Sequence, residues 1–352
     1  MTLLAKTLAS ITDVNHAAAA ETQRLLDNKT KPRRSLGRLE DLACQIAGIQ
    51  GTPEPPLPTK AVVVMAGDHG VAQEGVSAYP PEVTWQMLLN FAHGGAAINV
   101  LARQVDARLV VVDMGVNGPV QAIAGVLSHR VALGTRNFTL GPAMTMAQAT
   151  EALERGIAIA EDLTRSRVDL IAIGEMGIGN TTSATALLAA FSGCPVEAIA
   201  GRGTGIDDVT LAHKIAVIKK ALAVNPSANK SPEEILADLG GFEIAGLAGV
   251  VLGAAARGIP VVLDGFIAST AALVAARLQP LAAKCVIASH RSVEIGHKVV
   301  LETLGTKPLF ELDMRLGEGT GAALAMTMVD AALHLLHEMA TFETAGVTDT
   351  GQ

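Results

Sequence analysis

Apolar and polar positions along the chain fall into two rhythms. In the first fifty residues Leu39, Leu42, Ile46 and Ile49 recur at helical spacing, which predicts helices over residues 1–50. A proline-rich joint follows, GTPEPPLPT at 51–59, the best candidate boundary. Beyond it, short runs that are apolar on both faces alternate with longer alanine-rich stretches: Ala61–Met65, Leu109–Asp113, Leu170–Ile173, Val261–Leu263 and Val286–Ala288. Strands buried on both faces belong to a parallel sheet. Their alternation with helices predicts βαβ units with right-handed crossovers. From about Thr320 onward, GAALAMTMVDAALHLLHEMA reads as one long helix, able to return onto the N-terminal helices. The expected architecture is α/β, a mostly parallel Rossmann-like sheet flanked by helices. The expected division is a small helical domain at 1–58, an α/β domain at 59–337 and a tail at 338–352.

Composition narrows this. The chain has 352 residues, 49% hydrophobic and only 17% charged, so it can bury a large core and disorder is not expected. Aromatics are 3%, so that core must be built from Ala, Val, Leu and Ile, and the 35 glycines suggest close helix packing and tight loops. Net charge is −7 and no basic run stands out, which argues against nucleic acid as a partner. Cys44, Cys194 and Cys285 lie far apart, without metal spacing, and fit a reducing cytosol. The N-terminus lacks a signal-peptide core. The most membrane-like stretch, Ile244 to Ala256, is shorter than the roughly 20 residues a span needs and reads as a buried helix. A cytoplasmic protein without a membrane span is expected.

Ligands of open α/β sheets bind at the carboxyl ends of the strands, and the residues with chemistry lie there. AGDHGVAQEGVSAYPPEVTWQM holds Asp68, His69, Glu74, Tyr79, Trp85 and Met87. Its Asp-His pair reads as a metal ligand set, a loop tie or a substrate contact, and its two rare aromatics can line a pocket for a flat ring or pack in the core. In IGEMGIGNTTSATALLAA, Gly174, Gly177 and Gly179 precede Asn180, Thr181 and Thr182 at a helix start, an arrangement suited to an anion. It is neither a dinucleotide fingerprint nor a Walker loop. Glu175 in that loop would repel a phosphate and better suits a hydroxyl or an acidic N–H. GRGTGIDD is a second glycine turn, with Gly203 in it; either Arg202 or Lys214 can hold a phosphate, or Arg202 can simply be solvated. Asp264 ends a strand in LDGFIASTAAL. ASHRSVEIGH carries Ser289, His290, Ser292, Glu294 and His297, but a serine hydrolase would need a G-x-S-x-G elbow that is missing. In MRLGEGTGAALAM, Glu318 stands between Gly317 and Gly319 before the long helix, as a ligand contact or as a complement to the helix dipole.

Taken together these segments resemble the nicotinate-nucleotide–dimethylbenzimidazole phosphoribosyltransferase family, in order, from about Thr30 to His337. KP..SLGRLEDLA, AGDHGV..EGVSAYP.EVT.QM..NF..GGAAINVLAR, GTRNF..GPAM, IGEMGIGNTT, GRGTG, DGFI and MRLGEGTGAALA all look like blocks of that family. The resemblance implies transfer of 5-phosphoribose from nicotinate mononucleotide to a benzimidazole base, with no cofactor and no metal. It implies Glu318 as the catalytic base and Glu175 as its companion, Gly177 and Gly179 at the phosphoribosyl site and Lys214 at the phosphate. Tyr79 and Met87 fall at the benzimidazole pocket, where some members carry a smaller and a polar residue. Arg34 stands where members usually have glycine. The expected substrate contacts are therefore Tyr79, Met87, Gly177, Gly179, Asn180, Thr181, Gly203, Lys214, Ser292 and Gly317, in a protein whose partners are small molecules and, as the family implies, a second copy of itself.

Overall fold

The computed structural model describes residues 1–119 and 122–348. Three helices open the chain: α1 (Leu3–Ser10), α2 (His16–Asp27) and α3 (Arg38–Gln50). Then come β1 (Lys60–Gly67), α4 (Glu82–Ala92), α5 (Ala97–Gln104), β2 (Ala107–Gly115), β3 (Val126–Ser128), α6 (Met146–Arg165) and β4 (Leu170–Met176). Four helices follow without a strand: α7 (Asn180–Ser192), α8 (Val196–Ile199), α9 (Asp208–Val224) and α10 (Pro232–Leu239). The chain ends with α11 (Phe242–Ala255), β5 (Val261–Leu263), α12 (Phe266–Leu278), β6 (Val286–Ala288), α13 (Ile295–Leu304), α14 (Thr320–Glu338) and α15 (Phe342–Ala345).

The six strands form one sheet in the order β3-β2-β1-β4-β5-β6, and every pair is parallel. Alternate residues of β1 feed two cores. Ala61, Val63 and Met65 join one face with α6, α11 and α12, while Val62, Val64 and Ala66 join the other with α3, α5 and α14. The strict period of two is what a strand buried on both sides must have. Leu4 and Ile11 of the N-terminal segment belong to the first core; Leu26, Leu42 and Ile46 belong to the second, against α14.

Small residues let the layers close. Where α6 crosses α11, a Cβ at Gly156 would stand 1.9 Å from the Gly246 carbonyl oxygen, and one at Gly249 would stand 2.0 Å from that of Leu153. Every residue of α11 is buried, which accounts for the apolar stretch at 244–256. Among the described residues no helix is long and apolar enough to cross a membrane.

Three sequence expectations need correction. The edge strand β3 was not foreseen, because its three residues are half-buried or exposed and carry no apolar run. β1, β2 and β4 are longer than their β-branched runs, and β1 and β4 extend into the Gly67 and Glu175–Met176 segments that carry chemistry. The long C-terminal helix stops at Glu338 rather than running on through Ala340. Met339 turns to an extended conformation, and its carbonyl accepts a 2.8 Å hydrogen bond from Lys29 Nζ. Thr341 then bridges to Lys29 and α15 follows, while 349–352 of the expected tail lie outside the described residues. Arg34 has φ +60, a left-handed conformation that explains glycine at this position in the family it resembles.

Candidate active site

The chain runs outward from β1 through β2 to β3, then returns to β4 beside β1. Such a reversal opens a crevice at the carboxyl ends of the two central strands. Here it opens into a cavity of about 610 Å³. All of the expected site residues line it except Gly179 and Lys214. Gly179, φ +94, is the residue that turns the chain into α7. Lys214 lies behind Thr181: its Nζ donates to Thr181 Oγ1 at 2.9 Å and to the Gly201 carbonyl at 3.2 Å.

One end of the cavity is formed by the start of α7. Thr181 and Asn180 open α7, and no side chain caps that helix; the amides of Asn180 and Thr182 donate to the Gly177 and Gly179 carbonyls at 3.1 and 3.0 Å, and the positive end of the helix dipole lies here. Gly203 faces the same space, 3.5 Å from Lys214 Nζ at the position its Cβ would take. Burial pulls Lys214 down to about 8, opposed by the charge of Glu294. Arg202, the alternative phosphate ligand, is engaged elsewhere: it pairs with Asp208 and donates to the Ile206 carbonyl at 2.8 Å.

The other end is built around two carboxyl groups. Glu175 ends β4 at 7% exposure, and the Asn180 amide donates to its Oε2. Burial pushes Glu175 up to about 8, with the charges of Asp264, Glu243 and Glu318 adding to it and the Asn180 bond opposing. Burial that favours the neutral carboxyl weakens the repulsion Glu175 would exert on an anion in the same loop. Glu318 is 6% exposed and its Oε2 has no hydrogen-bond partner. Burial raises its pKa, with a bond from the Ile98 amide opposing. Gly317, Glu318 and Gly319 are all left-handed, with φ +86, +62 and +88, and the Glu318 N–H donates to the Glu175 carbonyl at 3.2 Å. Glycine suits 317 because φ there is +86, and a Cβ would also stand 2.5 Å from Glu175 Oε1 and displace that carboxyl group.

Between these ends the walls are apolar: Val83, Met87, Met176, Ile178, Phe266 and Leu316, with Tyr79 at the mouth, 55% exposed. Trp85 does not line the cavity; it packs against Gly118. Asp68 and His69 sit below the floor. Asp68 accepts the Asn117 amide at 2.7 Å, and His69 Nε2 joins Glu243 Oε1 at 2.6 Å with both side chains fully buried, so the loop-tie reading fits them. Ser292 lines the cavity. Ser289 and His290 do not form a hydrolytic triad with Asp264: Ser289 Oγ, at 2.9 Å, and Asp264 Oδ1, at 3.9 Å, both face Nδ1 of His290, whereas a triad needs opposite nitrogens. Val83, Glu294, Arg315 and Leu316 also line the cavity and were not singled out as contacts. Each lies within or beside a segment already quoted, so proximity to those motifs was the available signal.

A family model described as phosphoribosyltransferase matches residues 11–347. The chain belongs to the phosphoribosyltransferase family. It is 55% identical over 350 residues to the nicotinate-nucleotide–dimethylbenzimidazole phosphoribosyltransferase of Desulforamulus reducens, covering 99% of each chain. It is 54% identical over 348 residues to the protein of the same name from Roseiflexus sp., again covering 99% of each. Among solved structures it is similar to CobT from Thermus thermophilus, with a TM-score of 0.90 at 46% identity, covering 94% of this chain and 99% of that one. The cavity brings together the start of α7, the carboxyl groups of Glu175 and Glu318, and apolar side chains.

Proposed function

We propose that the protein transfers the 5-phosphoribosyl group of nicotinate mononucleotide to 5,6-dimethylbenzimidazole, giving α-ribazole 5′-phosphate and nicotinate, for the lower ligand of cobalamin. One observation carries this reading: Glu318, whose buried Oε2 has no hydrogen-bond partner, lines the same cavity as Asn180 and Thr181, which open a helix without a side-chain cap, and Thr181 is backed by a buried lysine.

The donor phosphate sits against Gly177, Asn180, Thr181, Gly203 and Ser292, with Lys214 behind Thr181, and Gly179 shaping the turn. The acceptor lies among Tyr79, Met87 and the other apolar walls, next to Gly317. Nicotinate leaves C1′ from a pyridinium, so departure neutralises its ring and needs no general acid. The incoming benzimidazole loses its N–H proton as its other nitrogen attacks C1′, and Glu318 takes that proton. Burial makes Glu318 a stronger base than an exposed carboxylate. Glu175, protonated at pH 7, offers an O–H to the sugar side of the donor. Inversion from β to α follows from a single displacement.

We further infer a cytoplasmic homodimer, with 1–58 as a helical unit, 59–337 as the catalytic domain and 338–352 as a tail. Sedimentation of the purified protein should give one species near twice 36.2 kDa.

The test of the reaction is nicotinate release from nicotinate mononucleotide, followed by chromatography with and without 5,6-dimethylbenzimidazole, for wild type and Glu318→Ala. Release that requires the base, with an α-riboside phosphate product absent in the variant, is the expected result. Release without any base would make the protein a hydrolase and overturn the reading.

A further inference from the structure

One buried carboxylate touches the Glu318 turn without lining the cavity. Asp264 follows β5 and is 1% exposed. Its Oδ2 accepts the Gly319 N–H at 3.0 Å, and its Oδ1 accepts those of Gly321 at 2.7 Å and Ala322 at 3.2 Å. These amides belong to the start of α14, whose own N-cap position is glycine and offers no side chain. The cap of α14 is thus supplied from a neighbouring strand.

The backbone it holds is an unusual one. A left-handed conformation costs a non-glycine residue on the order of 1–2 kcal/mol, and such a residue persists only where its surroundings fix it. Glu318 is held on both sides: its own N–H is tied to the Glu175 carbonyl, and the next N–H, that of Gly319, is tied to Asp264. We propose that Asp264 is a positioning residue for Glu318, holding the 317–319 turn in the backbone conformation that directs the Glu318 carboxylate into the cavity. Glycine at 321 suits this role, since a Cβ there would stand 3.0 Å from Asp264 Oδ1 and 2.1 Å from His290 Nδ1. Asparagine at 264 would keep the volume but turn one acceptor into a donor facing an N–H, and the turn would lose a tether.

The inference rests on Glu318 being the base, and a double-mutant cycle separates the two claims. Asp264→Asn, Glu318→Gln and the double variant are assayed for base-dependent nicotinate release, and nicotinate mononucleotide binding is measured by calorimetry. Asp264→Asn should lower kcat about 100-fold, the cost of misplacing a reacting group, and leave donor affinity unchanged. The double variant should be no slower than Glu318→Gln alone, because both changes remove the same function. Losses that multiply, or a fall in donor affinity that matches the fall in kcat, would overturn the positioning role while leaving Glu318 as the base. If Glu318→Gln itself turns over normally, the base assignment falls and this inference with it. Should Asp264→Asn fail to fold, hydrogen exchange on the wild type reads the same tether. The amides of Gly319, Gly321 and Ala322 should exchange only on global unfolding, and fast exchange at these sites would overturn the proposal.

Discussion

The turns that lead into α7 and α14 are alike in backbone and opposite in use. Both helices begin behind a left-handed glycine, Gly179 at φ +94 and Gly319 at φ +88, and neither has a cap from its own N-cap residue. The difference comes from outside each turn. The amides at the start of α14 are taken by the Asp264 carboxylate, whereas no side chain takes those of α7. A free N-terminus attracts anions; a capped one does not compete for a nearby carboxylate. The α7 turn is therefore available to a ligand phosphate, and the α14 turn presents Glu318 with one oxygen unpaired. One aspartate just after β5 makes the difference between the two turns, and on the proposed function that difference separates an anion site from a base platform.

An exchange of glycines should separate the two turns most sharply. In Gly317→Ala the new Cβ meets Glu175 Oε1 at 2.5 Å on a left-handed residue, so the base platform moves. Turnover should fall about 100-fold, the scale expected for misplaced catalytic groups, while nicotinate mononucleotide still binds. In Gly177→Ala the Cβ meets the Gly67 carbonyl oxygen at 2.4 Å, so the anion loop moves. Here donor affinity should collapse and benzimidazole binding persist. Calorimetry with each ligand checks both. If each variant lost both affinities alike, the turns would be one unit and the comparison would fail.

Lys214 sharpens the anion side. Lys214→Met removes a charge-assisted hydrogen bond, which at about 1.5–3 kcal/mol corresponds to roughly a 10- to 100-fold weaker donor. The wild type should itself lose donor affinity as pH rises past about 8, because burial makes Lys214 give up its proton there. Titrations at pH 7 and pH 9 measure this, and Lys214→Met should show a smaller fall, the remainder coming from Glu175, which gives up its proton over the same range.

Much of this was legible in the sequence, and the gaps have physical causes. The apolar runs at 61–65, 109–113, 170–173, 261–263 and 286–288 all proved to be strands, because burial on both faces leaves no alternation to misread. β3 escaped because its residues are half-buried or exposed, whereas β6, an equally short edge strand, is buried throughout and left an apolar run. The glycine turns stood out because left-handed backbone and close approach demand glycine. What lay hidden was coupling at a distance. Asp264 acts on amides 55 to 58 residues later, and His69 pairs with Glu243 across 174 residues, so neither partnership leaves a local spacing. Arg202 reads in the sequence as either a phosphate ligand or a solvated residue; it is half exposed and pairs with Asp208 six residues on, a local partner that its spacing could have suggested.

An effect of another kind, on stability before turnover, falls on the residue that stands between the turns. Glu175 meets Asn180 at the start of α7 through Oε2 and faces Gly317 through Oε1. Its pKa in the folded protein is raised to about 8 from an ordinary value of 4.5, chiefly by burial. Below the ordinary value the carboxyl is protonated in both folded and unfolded chains. As pH rises, the unfolded chain releases its proton first, so the stability contributed by the protonated group is lost progressively until pH passes the folded value. Glutamine at 175 has no proton to lose. The melting temperature of Glu175→Gln should match the wild type near pH 4 and exceed it increasingly toward pH 8, by about 2–4 °C for each kcal/mol gained. Its turnover should fall over the same range, the exchange of stability for activity expected where a site holds a buried acid. Thermal melts across that range decide the matter. A difference that stays constant with pH would mean Glu175 is already ionised in the free protein, and a charged carboxylate beside the α7 turn would then leave the anion site with a repulsion that nothing in its geometry offsets.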